Sequence, residues 1–238
     1  MISKDYQWSE NFAYGLGLFV SDGHLSIDGR HLNFTSKDLE LIEHFRMIFC
    51  PSAKVSTKLR DAGSPKIYFY VQFSDVNLYK FFLSIGVPQQ KSKNIKKVNF
   101  PNKFFWDFLR GLLDGDGSVQ TSNHPESKKQ QIRLRFCSAS REFIVWLQSK
   151  INCKEVVGGR ISLGKNIWLL EYGKRDTIEL FKKMYYNNQV ICLPRKSKVL
   201  KKFVVDNQDF EPNRWQNRFT KKHVSPSGEI GKLASLRN

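Results

Sequence analysis

Two aspartates are the residues of this chain whose surroundings best suit them to chemistry. Asp22 closes "FAYGLGLFVSDG" (12–23) and Asp116 closes "FLRGLLDGDG" (108–117). Each is an apolar, glycine-bearing run that ends on Asp-Gly and passes straight into strand-like sequence. Small residues recur at every fourth position, Ala13, Gly17 and Ser21 in the first run and Gly111 and Gly115 in the second. On a helix such residues share one face, and a stripe without side chains lets two backbones approach closely. Packed along these stripes, the helices would bring their C-terminal ends together and set Asp22 beside Asp116. Two adjacent carboxylates repel, and each lies at the negative end of a helix dipole, so the pair calls for a cation. Oxygen ligands, with no Cys or His inside either run, suit Mg²⁺ or a similar hard ion, and beside a phosphodiester that is the layout of metal-assisted hydrolysis. The plainer alternative is that the glycines serve only packing and the aspartates only end the helices. A calcium loop starting at Asp114 is excluded, because Val119 stands at its sixth position and Pro125 at its twelfth, where Gly and Glu are required.

The bulk composition says what such a site would act on. Lys and Arg number 39 against 22 Asp and Glu, a formal charge of +17 over 238 residues, and so positive a surface attracts polyanions. Nucleic acid is the leading partner. No apolar run approaches the ~20 residues needed to span a bilayer, and "MISKDYQWSE" has no apolar signal region, so the expectation is a soluble, intracellular protein with no membrane partner. The four cysteines, Cys50, Cys137, Cys153 and Cys192, include no C-x-x-C pair and read as free, mostly buried thiols.

The elements that must position the aspartates are written twice. "KSKNIKKV" (91–98) and "KSKVLKKF" (196–203) share five of eight letters in register. Between these anchors, "SDVNLYKFFLSIG" and "KRDTIELFKKMYY" both read as helices, capped by Asp75 and Asp176. The spacing predicts an α+β chain of two similar αββαββα units, 1–99 and 100–205, followed by a polar tail, 206–238. The second unit is longer mainly because "TSNHPESKKQ" (121–130) replaces the tight turn at Asp28-Gly29, and a hairpin tip accepts insertion at least cost. In the tail, Trp215 and Phe219 could dock at helical spacing, and Arg214, Arg218, Lys221 and Lys222 could add phosphate contacts.

Period-2 alternation divides the strands into two faces. Leu25, Ile27, Leu32 and Phe34 oppose His24, Ser26, His31, Asn33 and Thr35. Ile67, Phe69, Val71 and Phe73 oppose Lys66, Tyr68, Tyr70 and Gln72. Ile132, Leu134 and Phe136 oppose Gln131, Arg133 and Arg135. Any half-exposed antiparallel sheet has a polar face, but four such strands in a chain of this charge suit base edges and phosphates. The candidate DNA contacts are these polar residues together with Arg30, Ser36, Lys58, Arg60, Gln120, Ser138, Arg160 and Lys165.

"YGLGLFVSDG" and "LRGLLDGDG" resemble the two motifs of a single-chain LAGLIDADG homing endonuclease, and the resemblance extends to about residue 205. The second motif is a close match. The first departs from it, with Gly15 and Leu16 where the family has Leu and Ala, and Val20 and Ser21 where it has Asp and Ala. The resemblance implies a pseudo-symmetric monomer with a central two-helix interface (Ala13, Gly17, Gly111) and saddle-shaped sheets over the major groove of double-stranded DNA. It implies catalytic aspartates at Asp22 and Asp116, metal ligation by these two with Ser21 and Gly115, and a basic residue near each scissile phosphate at Lys91 and Lys196. It also implies Mg²⁺ as cofactor, with Mn²⁺ or Ca²⁺ able to substitute in binding, and staggered cleavage of a long asymmetric site. Lys91 and Lys196 could instead be simple phosphate contacts. A maturase binding intron RNA, or a DNA-binding regulator that does not cleave, would be alternative uses of the same fold.

Overall fold

The computed structural model describes residues 6–59, 66–123, 125–126, 129–154, 156 and 158–207. Arg60 and the tail residues Arg214, Trp215, Arg218, Phe219, Lys221 and Lys222 lie outside them. The first half runs α1 (Glu10–Asp22), β1 (Gly23–Leu25), β2 (His31–Ser36), α2 (Leu39–Phe49), β3 (Ser56–Leu59), β4 (Ile67–Ser74), α3 (Val76–Ser84) and α4 (Lys91–Asn94). The second repeats the order as α5 (Phe105–Asp114), β5 (Ser118–Asn123), β6 (Gln130–Ser138), α6 (Arg141–Asn152), β7 (Arg160–Leu163), β8 (Trp168–Tyr172), α7 (Lys174–Met184) and α8 (Pro194–Val205). The strands form two antiparallel four-stranded sheets of matching topology, β1-β2-β4-β3 and β5-β6-β8-β7. This is the expected α+β architecture.

Local sequence explains the element boundaries. Ser9 caps α1 by accepting the Phe12 amide at 3.1 Å, Asp75 caps α3 through the Leu78 amide at 2.9 Å, and Ser140 caps α6 through that of Phe143 at 3.2 Å. Each satisfies a backbone donor that the first helical turn leaves without an internal partner. The expected cap at Asp176 is not formed. α7 begins at Lys174 with Gly173 before it, so Asp176 lies inside the first turn, where a carboxylate still suits the helix dipole. The basic segments also differ, since α4 is a single turn while Pro194 opens α8 as a twelve-residue helix. At Asp28-Gly29 the tight turn forms as read, with Gly29 at φ +78°, a conformation that Gly adopts without strain.

The core lies between the sheets' inner faces and the helices. Leu25, Leu32, Phe34 and Val71 from the first sheet, and Ile132, Leu134, Phe136 and Leu170 from the second, are buried. Two residues assigned inward fall outside this core. Ile27 is 84% exposed and Ile67 54%, because β1 ends at Leu25 and Ile67 opens β4, where the pleat has no layer beneath it. Among the cysteines only Cys50 is buried, and Cys153 is exposed.

α1 and α5 pack against each other along the small-residue stripes. A methyl at Gly17 would lie 2.2 Å from the Phe108 carbonyl oxygen and 2.9 Å from Gly111 Cα. One at Gly111 would lie 2.1 Å from the Tyr14 carbonyl oxygen and 3.0 Å from Gly17 Cα. Backbone meets backbone here, with Ala13 fully buried beside it.

Candidate active site and nucleic-acid interface

The crossing of α1 and α5 determines where the two aspartates go. Asp22 is the last residue of α1, and Asp116 stands two residues beyond the end of α5. A methyl at Gly115 would fall 1.9 Å from Ser21 Oγ and 3.2 Å from Asp22 Oδ2, so the end of the second motif abuts the first motif's aspartate. Burial, and then the negative charge of Asp116, push the Asp22 carboxyl up to about 7, against the pull of Lys91 and Lys196. Beyond burial, the upward push reports a second carboxylate close to Asp22. Beside the two carboxylates stand the oxygens of Ser21 and Gly115, groups that suit a hard divalent cation, together with the Lys91 and Lys196 ammoniums and the Cys137 thiol. Among the described residues no third His, Cys, Asp or Glu completes a metal-ligand cluster.

The first aspartate of "DGDG" has a different role. Asp114 is fully buried and accepts from the Tyr14 hydroxyl of α1 at 3.0 Å and from the Leu193 amide at 2.7 Å. Burial pushes its carboxyl up to about 6. It ties α5 to α1 and to the start of α8, while Asp116 is exposed.

Each lysine of the "KSK" pair closes the C-terminal end of its own motif helix. Lys91 Nζ donates to the carbonyls of Val20, at 2.8 Å, and Ser21. Lys196 Nζ donates to those of Leu113 (2.6 Å), Asp114 (2.8 Å), Gly115 (3.0 Å) and Gly117 (2.7 Å). Helix ends leave these carbonyls without internal partners, and an ammonium also suits the negative dipole end. Burial lowers both lysines to about 8, with carboxylates opposing the fall: Asp22 and Asp116 around Lys91, Asp114 and Asp22 around Lys196. Lys196→Met should therefore destabilise the protein by ~1–3 kcal/mol through stranded carbonyls, and Lys91→Met by less, because it serves fewer; urea denaturation would measure both. Equal, negligible losses would contradict the capping role.

An ion pair joins the halves at the same end, where the Arg195 guanidinium donates to both Asp38 oxygens, at 3.0 and 2.8 Å. Beside the aspartates a cavity of about 380 Å³ is lined by Ser21, Lys91, Asp116, Phe136 and Cys137, among others.

On the first sheet the outward polar residues assemble across strands. His24 pairs with Asn33 and Asn33 with Gln72, while Thr35 pairs with Tyr70 and Tyr70 with Ser56. Lys58, opposite Tyr68, donates to Thr35 Oγ1 at 3.2 Å and lies over the Tyr70 ring. Ser26 continues the His24 side, its amide bonded to the His31 carbonyl at 3.0 Å. Arg30 and His31 gather around Asp28 at the hairpin tip, and Lys66 precedes β4. On the second sheet Gln120 pairs with Arg133, Ser122 with Gln131, and Arg135 and Arg160 both with Glu171. Lys165 is exposed in the β7–β8 turn.

Ser36 and Ser138 do not join these faces. Both fall on the inward parity of their strands, beside Phe34 and Phe136, and Ser36 is buried. Each hydroxyl accepts the amide two residues on, that of Asp38 or Ser140, at 3.1 Å, shaping the turn into α2 or α6. The residue that sequence reasoning missed is Glu171. Its signal was the alternation of "WLLEYG", in which Glu171 is flanked by the buried Leu170 and Tyr172.

Residues 106–183 match the LAGLIDADG-like domain. Over 163 residues, 64% of its length, the chain is 23% identical to the replication factor C small subunit of Methanocaldococcus jannaschii, of which the match covers only 8%. Its fold is similar to that of the LAGLIDADG homing endonuclease I-GzeII in complex with its DNA target (TM-score 0.58, 11% identity, 92% of this chain and 99% of that one). It is also similar to I-DmoI in complex with DNA and Ca (0.55, 18%, 81% and 97%). Full-length DUF199/WhiA from Thermatoga maritima shares the fold as well (0.55, 15%, 92% and 69%). Among the described residues no helix is long and apolar enough to cross a membrane.

Proposed function

Given a chain that has the two-unit LAGLIDADG fold and a LAGLIDADG-like domain in its second unit, we propose that it is a site-specific DNA endonuclease. It makes a Mg²⁺-dependent, staggered double-strand break in a long asymmetric target. The units are 1–99 and 100–205, with 206–238 as a tail. The observation that carries this reading is the meeting of Asp22, Asp116, Lys91 and Lys196 in one electrostatically connected cluster at the α1–α5 crossing. Because one chain supplies both aspartates, it acts as a monomer, and its unlike sheets suit a non-palindromic site.

Asp22 and Asp116, with the main-chain oxygens of Ser21 and Gly115, would hold the divalent cation; each carbonyl has a second lone pair beyond the one its lysine occupies. When bound, the cation supplies Lewis-acid polarisation of the phosphate and lowers the pKa of a water nucleophile. The protein's own groups do the rest. The outward sheet faces bind and align the duplex. Lys91 and Lys196 hold positive charge at the helix ends, where charge develops on the scissile phosphates. The pair of crossing helices keeps the carboxylates at fixed separation. Cleavage at such a site would spread the intron, intein or coding element that carries the enzyme.

The test is incubation of purified protein with a genomic or randomised duplex pool, with Mg²⁺ and with EDTA, over a salt series. Metal-dependent cuts at one long site are expected, with binding that weakens steeply as salt rises. A second reading of the same fold, which WhiA shares, is a DNA-binding protein that does not cut, and salt-sensitive binding without cleavage in Mg²⁺ would select it.

A further inference from the structure

Glu171 is an acidic side chain in the middle of a face otherwise suited to DNA. It stands on β8 directly opposite Arg135 of β6 and Arg160 of β7. One carboxylate oxygen accepts from Arg133 Nη1 at 2.8 Å and the other from Arg135 Nε. Arg135 Nη1 also donates to Gln120 Oε1 at 2.8 Å, and Gln120 is itself the cross-strand partner of Arg133. Burial of Glu171 works against its charge, but the two guanidiniums outweigh that and hold its carboxyl below the usual range.

A carboxylate here costs affinity for any duplex, because it repels phosphates wherever the protein binds. Its return is orientation. Two guanidiniums two residues apart on one strand would repel and sample many rotamers; with Glu171 between them they are fixed, and fixing donors before binding favours the one partner whose geometry fits. Each guanidinium has five N–H donors, enough to keep a bidentate edge after these bonds. The bidentate partner of arginine in the major groove is guanine, through O6 and N7. Residues i and i+2 of a strand stand ~6.8 Å apart, about the rise of two base-pair steps. The first sheet has no equivalent trio among its described residues.

We infer that Glu171 is a specificity-determining residue, one that poises Arg133 and Arg135 to read two guanines separated by one base in the half-site under the second sheet. The inference rests on the DNA-endonuclease reading. It is tested by selecting binding sites from a randomised duplex library in Ca²⁺ with the native protein, Glu171→Gln and Arg135→Gln, and by measuring affinity for a generic duplex of unrelated sequence. The native protein should select G-N-G on one flank of its site. Glu171→Gln should relax that preference about tenfold or more per position while binding the generic duplex more tightly, a loss of discrimination with a gain of affinity that a merely structural role would not give. Arg135→Gln should lose one of the same two positions. A native site without the paired guanines, or a Glu171→Gln profile identical to the native one, overturns the inference and leaves the endonuclease reading intact. If none of the proteins binds duplex DNA, both fall together. A melting temperature for each variant within a degree or two of native excludes misfolding as the cause.

Discussion

Asp116→Asn should abolish double-strand cleavage, lowering its rate by about 10³-fold or more, while affinity for duplex DNA in Ca²⁺ stays within a few-fold of native. Asp22→Asn should do the same. The amide keeps the shape of the carboxylate but not its charge, so what it removes is the means of holding a cation beside the phosphate. Because the charge of Asp116 helps to raise Asp22, the Asp116→Asn protein should also show Asp22 titrating at lower pH. Cleavage of a labelled target in Mg²⁺, binding by gel shift in Ca²⁺ and carboxyl titration by NMR would measure the three effects. A variant that still cuts both strands would remove the metal assignment, and unchanged Asp22 titration would remove the coupling.

The second large effect is expected at the helix crossing. Gly111→Ala places a methyl 2.1 Å from the Tyr14 carbonyl oxygen, and Gly17→Ala one 2.2 Å from that of Phe108. Overpacking usually costs ~1–3 kcal/mol when side chains can shift. Here the obstacles are main-chain atoms of a facing helix, so each substitution should cost about 3 kcal/mol or more, and cleavage should fall with stability because Asp22 and Asp116 depend on that crossing. Gly173→Ala is the control: nothing lies within 4 Å of the added carbon, so its unfolding free energy should move by less than about 1 kcal/mol. Equal denaturation midpoints for Gly111→Ala and Gly173→Ala would rule out backbone contact at the crossing.

Much of this architecture was legible because it is periodic or repeated. Four-residue spacing of small residues fixes a helix face whatever lies opposite, so Gly17 and Gly111 announced a close crossing. Alternation in "QQIRLRF" placed Ile132, Leu134 and Phe136 inside and Arg133 and Arg135 outside, and β6 follows it. Where periodic reading failed, the strand had ended or just begun, as at Ile27 and Ile67; at Ser36 and Ser138 the alternation itself points inward, with Phe34 and Phe136. Asp75 and Asp176 looked alike as helix caps, but only the tertiary course of the chain set where α7 begins.

By itself, then, the sequence determined the two-fold repeat, the α+β elements, the inward and outward faces and the two aspartates, because each follows from local spacing and covalent order. Only the tertiary structure decided which groups those aspartates meet. That Lys91 and Lys196 end on helix carbonyls, that Asp114 binds Tyr14 across the crossing, and that Glu171 holds Arg133 and Arg135 all depend on contacts between residues 36 to 100 positions apart. Such contacts depend on strand register and on how closely two backbones can approach, and neither is encoded in the local pattern around any one of the residues.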